Sequence, residues 1–261
     1  MTEAPSMIDV STTRSGRGVR VAIVDSGVER THPWLASAKL SHVALRNDGK
    51  RWVVEPAEGV DASGHGTACA GIIHRLVPDA ELVDIRVLDA DARCVRDALL
   101  AAIRYCIVQR FDVVNLSLGV DVPRSAPLRP TDYPTIVDLY ELADAAYTRG
   151  VVLVAAGPNL GAFRTYPGKF KSLIGVGRAA FDDPEGLRTE LTADYEVVAP
   201  GERVTAPALG GGERQWTGTS FATPHVVAHV ARIRAERPGL SIDATKATLH
   251  ALAATWKARG A

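Results

Sequence analysis

Cysteine, aromatic side chains and net charge are all scarce in this chain, and each scarcity removes a class of protein. Three cysteines in 261 residues, at positions 69, 94 and 106, are too few and too scattered for a disulfide scaffold. They form no C-x-x-C and no Cys/His cluster at metal-ligand spacing. Free thiols suit a reducing compartment, so the cytoplasm is the expected location. Thirty Lys+Arg balance thirty Asp+Glu, leaving no electrostatic footprint for nucleic acid or an anionic membrane. No apolar run approaches the roughly 20 residues of a membrane-spanning helix. Residues 1–18 also lack the apolar core of roughly 7–15 residues that an export signal needs. Disorder is excluded because 46% of the residues are hydrophobic and the charges cancel. The length suits one large α/β domain. The expected organisation is a single domain over 1–261, with 1–18 as a poorly ordered extension.

Apolar segments of two kinds alternate along the chain. Val19–Asp25, Glu81–Asp89, Asp112–Gly119, Val151–Gly157 and Ser172–Gly177 are short and β-branched and meet glycine or a turn, the pattern of buried parallel strands. Between them, Thr67–Leu76, Val95–Arg110, Ile136–Arg149, Ala222–Arg237 and Asp243–Ala254 carry helical spacing. Such alternation predicts an α/β fold in three layers, a parallel central sheet flanked by helices. Pro-rich Val120–Pro134 reads as a surface loop. Reactive residues in such folds gather at the carboxyl edge of the sheet.

Three segments there carry candidate chemistry. VAIVDSGV ends a strand on Asp25, which alone could be a turn starter. In DASGHGTACAGII, His65 stands between two glycines that strip side-chain cover from the ring, which favours a functional histidine over a packed one. In WTGTSFATPHVVAHVARI, Ser220 opens a long helix. A helix cap would explain it, and so would a nucleophile at a positive helix end, where backbone N–H groups can face a developing oxyanion.

The order Asp, His, Ser, each at a strand end or helix start, resembles that of the subtilases, the subtilisin-like serine endopeptidases. VAIVDSGV, GHGTACAG, VVNLSLG, VVLVAAG, YPGKF, VVAPG and GTSFATPHV carry the resemblance in family order over nearly the whole chain. It implies Ser220 as nucleophile, His65 as general base and then acid, and Asp25 as the group that holds the imidazole tautomer. It implies Asn159 and the Ser220 backbone N–H as the oxyanion hole. Ser117, Leu118, Gly119 and Ala155, Ala156, Gly157 become edges that pair with substrate backbone. Thr165 becomes the floor of the P1 pocket, too raised for bulky aromatic residues. The implied substrate is a polypeptide or peptide, with no organic cofactor.

Three departures qualify that reading. The run AAGPNLG inserts Pro158, so Asn159 comes one residue late. Either the loop bulges and Asn159 still reaches the oxyanion, or the hole is weakened, since proline has no N–H to substitute. The helix after His65 leaves no room for an inserted calcium loop, and no metal site is expected; Asp182, Asp183 and Glu185 read as a solvated acidic turn. Too few residues precede the first strand for a propeptide, which suggests a selective intracellular processing enzyme. Cys69, one turn after His65, reads as a buried helix residue that could confer sensitivity to mercurials. His32, His42, His74, His225, His229 and His250 show no ligand spacing, and His225 is expected to pack. A disabled peptide-binding homologue and an acyl-transferring peptide ligase stay open beside hydrolysis.

Overall fold

The structure, a computed structural model, describes residues 15–88, 94 and 96–259, the side chains of 257–259 excepted. The expectation for the N-terminal extension lies outside the described residues up to position 14. Ser15 and Gly16 are docked: the Ser15 carbonyl accepts from Asp79 N at 2.7 Å.

The elements in chain order are β1 (Arg20–Asp25), β2 (Lys39–Asn47), β3 (Trp52–Pro56), α1 (His65–Leu76), β4 (Glu81–Arg86), α2 (Arg96–Val108), β5 (Val113–Leu116), β6 (Val120–Pro123), α3 (Tyr133–Thr148), β7 (Val152–Ala156), β8 (Phe163–Tyr166), β9 (Ile174–Ala179), β10 (Arg188–Thr189), β11 (Val197–Pro200), β12 (Val204–Ala208), β13 (Gly212–Trp216), α4 (Thr219–Glu236) and α5 (Ile242–Arg259). Nine strands form one sheet in the order β10-β11-β9-β7-β5-β1-β4-β2-β3. It is parallel from β11 to β2 and antiparallel at each rim, where β10 meets β11 and β3 meets β2.

Alternation along β1 produces the three layers. Val21 and Ile23 enter a core shared with α1, α4 and α5. Ala22 and Val24 face the opposite way, into a core shared with α2 and α3. A strand buried on both faces must be apolar throughout, which is why RVAIVD reads as a continuous run. Helix α4 is buried along nearly its whole length and packs on α1, α5, β5, β7, β9 and β11.

The expected loop Val120–Pro134 is partly regular. Its first four residues form β6, which pairs antiparallel with β8, and Tyr133 already opens α3. Pro123 is tolerated because the pair is only two strands wide and has free edges. β2 escapes period-based reading because it lies next to the rim and is half exposed, so its apolar positions are diluted.

Candidate active site

Asp25 is the last residue of β1 and is completely buried. Its Oδ1 lies 2.8 Å from His65 Nδ1 and also accepts from Ser26 N at 2.8 Å. His65 is the first residue of α1, and the strand end and helix start come this close because Gly66 has no side chain. A Cβ there would stand 2.1 Å from the Gly27 carbonyl and 3.1 Å from Asp25 Cβ. Burial is the largest single influence on the His65 ring and disfavours its charge. The Asp25 charge and hydrogen bond, helped by Asp61, together outweigh it and raise the pKa.

Asp61, to which the sequence reading gave no role, holds this arrangement. Its Oδ1 accepts from Ser26 Oγ at 2.7 Å and from Ser63 N and Gly64 N at 2.9 Å. Its Oδ2 accepts from Thr67 N and Thr67 Oγ1. One buried carboxylate therefore ties the Asp25 turn to the loop that presents His65. The available signal was an acidic residue four positions ahead of the histidine, at the mouth of a helix. A second buried Asp–His pair also escaped sequence reading: Asp84 Oδ2 lies 3.0 Å from His42 Nδ1 and accepts from Val28 N at 3.1 Å. Burial raises the Asp84 pKa, with the His42 contact working against that shift.

Ser220 is the second residue of α4. Its carbonyl would normally bond to the N–H four residues on, but that residue is Pro224. The free carbonyl instead accepts from Ser117 Oγ at 2.7 Å and from Cys69 Sγ at 3.6 Å. Ser117 is itself held by Asn115 Nδ2 at 2.9 Å. The nucleophile candidate is thus stapled to the end of β5 and to α1. Phe221, beside it, brings its ring to 5.1 Å from that of His65. No hydrogen bond joins the Ser220 hydroxyl to His65 among the described residues; such bonds are commonly long before substrate arrives.

Asn159 lies against the start of α4 despite the intrusion of Pro158. Its Oδ1 accepts from Thr219 N at 2.9 Å, and Thr219 Oγ1 donates to the Gly157 carbonyl at 2.8 Å. With Oδ1 committed, the Nδ2 group of the exposed Asn159 side chain is left as donor.

Ser117, Leu118 and Gly119 follow the end of β5 outside any ladder. Ala155 is different, since it pairs with Leu116 on one side and Gly175 on the other, so within β7 its edge is occupied. Gly157 N likewise donates to the Val176 carbonyl at 2.8 Å. Thr165 is buried on β8, donates to Asp121 Oδ1, and packs so near Gly119 that a Cβ there would meet its methyl at 2.5 Å.

His225 packs as expected, its Nδ1 2.7 Å from the Pro184 carbonyl, and His229 packs beside it with Nε2 3.1 Å from the Glu185 carbonyl. The turn at 182–185 is less solvated than its composition suggests: Arg232 pairs with Glu185 at 3.0 Å and donates to the Leu76 carbonyl. Asp25, His65 and Cys69 bring possible ligand atoms within 4.8 Å of one another. They fit a resident metal poorly, because His65 Nδ1 is engaged by Asp25 and burial raises the Cys69 pKa well above its ordinary value.

Residues 16–259 match the model of the Subtilase family. The chain is 31% identical over 234 residues to an "Intracellular serine protease" of Paenibacillus polymyxa, covering 84% of this chain and 67% of that one. It is 30% identical to "Subtilisin NAT" of Bacillus subtilis subsp. natto, covering 86% of this chain and 57% of the relative. Among solved structures, "Sphericase" superposes with a TM-score of 0.71 at 24% identity, over 95% of this chain and 91% of that one. A strand-ending aspartate bonded to a helix-opening histidine, beside a serine at the head of the central helix, is accompanied by a family match over nearly the full length: the chain belongs to the subtilase family.

Proposed function

We propose that the protein is a serine endopeptidase that cleaves peptide bonds through an acyl-enzyme. The observation that carries this is the 2.8 Å contact between His65 Nδ1 and the fully buried Asp25, with Ser220 two residues into α4 beside them. Asp25 fixes the tautomer in which Nδ1 carries the proton, leaving Nε2 to accept the Ser220 hydroxyl proton as Oγ attacks the scissile carbonyl. The oxyanion is met by the Ser220 backbone N–H and by Asn159 Nδ2, aimed there by the Thr219–Asn159 bond. His65 then returns its proton to the leaving amine, and water repeats the cycle on the ester. Substrate backbone runs along Ser117–Gly119, and Thr165, held by Asp121, restricts the P1 pocket to small side chains.

Free Cys69 and Cys106 and a relative named as intracellular support a cytoplasmic processing role. No helix of the described residues is long and apolar enough to cross a membrane. The test is labelling by a fluorophosphonate: wild type should label and Ser220→Ala should not. Mass spectrometry of a cleaved peptide library should then show hydrolysed ends after small P1 residues. Joined ends would reassign the chain as a ligase, and an unlabelled wild type would sink the peptidase reading.

A further inference from the structure

Hairpin β12–β13 carries a cation at the surface, stacked on an aromatic ring. Arg214 is exposed, no carboxylate pairs with it among the described residues, and its guanidinium carbon lies 3.4 Å from the centre of the Trp216 ring. Residues 214 and 216 share one face of β13 because strand side chains alternate. Trp216 meets His65 edge-on at 6.4 Å and Phe221 at 4.8 Å. An unbroken series of ring contacts therefore leads from the imidazole to a surface guanidinium. The charge reaches the ring, since Arg214 is among the groups that oppose protonation of His65.

The platform under Arg214 is fixed. His32 Nε2 lies 2.9 Å from the Gly212 carbonyl, Trp34 Nε1 donates to Glu213 Oε1 at 2.7 Å, and Trp216 Nε1 donates to the Pro207 carbonyl at 3.0 Å. The adjacent carboxylate, Glu213, is thereby drawn to the opposite face of the strand and does not neutralise Arg214. Stacking on an indole pre-organises a guanidinium and leaves its outer N–H groups free to grip a carboxylate in bidentate fashion.

The side of the cleft follows from the chemistry. The acyl half stays on Ser220, between the end of β5 and the Asn159 loop. The amine half departs past His65, which protonates it, and so passes the Phe221–Trp216–Arg214 wall. We propose that Arg214 reads a carboxylate within the first two residues beyond the scissile bond, either an acidic side chain or the terminal carboxylate of a short leaving peptide. This rests on the peptidase reading above. The molecule's charge balance makes such recognition local rather than a matter of long-range steering.

Matched peptides differing only at those two positions test it. For wild type, kcat/KM should be about 5–10-fold higher with Glu than with Gln there, a ratio that shrinks in 1 M NaCl. The ratio should fall to about 1 in Arg214→Gln, and Arg214→Glu should prefer Lys. A second pair, with the leaving segment ending as a free acid or as an amide, separates the two sources of the carboxylate. A wild type indifferent in both pairs, or a preference that survives Arg214→Gln, overturns the inference while leaving the peptidase intact. A wild type that neither cleaves nor takes the fluorophosphonate overturns both.

Discussion

His65 stands between burial, which opposes its charge, and Asp25, which supports it, and the carboxylate side prevails. A raised pKa keeps the ring protonated, and useless as a base, up to a higher pH. Activity should therefore fall as pH drops through a midpoint above the usual 6.5. Asp25→Asn removes the main support and leaves only Asp61 against burial, so the midpoint in a kcat/KM profile should move down while kcat drops by about 10⁴. Asn159→Ala tests the other end of the site; kcat should fall about 10²–10³-fold with little change in KM, because the lost donor serves only the transition state. Unchanged turnover would mean that Pro158 has displaced the donor. Asp25, His65, Ser220 and Asn159 could be named as candidates from the sequence because each sits in a short run with its own turn or helix signal. Asp61 and Asp84 were not, because their importance lies in the backbone N–H groups they collect from distant loops.

Helix α4 carries a polar stripe through the core. His225, His229 and Arg232, at spacings of four and three, reach the Pro184 and Glu185 carbonyls and the Glu185 carboxylate. Burial pushes the His225 pKa down to about 3 and that of His229 to about 4. Between those values and pH 6.5 the folded protein keeps both rings neutral while the unfolded chain protonates them, so stability falls as pH falls. The slope should be about 1.4 kcal/mol per pH unit for each histidine. Urea midpoints between pH 7 and 4.5 should drop steeply in wild type and more gently in a His225→Gln/His229→Gln variant. An equal slope in both would place the acid sensitivity elsewhere. At this scale the sequence was readable where strands are buried on both faces, as in β1, β5 and β7, since continuous apolar runs survive there. It failed for β2, β3 and β6, whose half-exposed positions mix polar and apolar residues, and for β11, which is buried but only four residues long and ends on a proline.

Across the whole molecule, the two cores on either side of the sheet are covered by different helices, and the β12–β13 hairpin closes over α1, adding Ala206 and Trp216 to the first of them. That closure is tight at Gly71, where a Cβ would stand 2.4 Å from Pro207 Cγ. Gly71→Ala should force the hairpin outward at a cost of about 1–3 kcal/mol, partly offset by about 1 kcal/mol of helix propensity. A melting temperature lower by a few degrees checks it, and an unchanged one would show that the hairpin yields freely. The Pro224 gap has a consequence for how the molecule breathes. Helix ends ordinarily fray because their terminal turns answer only to themselves. The head of α4 is fastened by Ser117, Cys69 and Asn159, so its first turn can open only when three other parts of the chain let go together. Amide exchange at Thr219 should then run at the pace of global unfolding, so that the turn carrying Ser220 keeps its shape until the fold itself is lost.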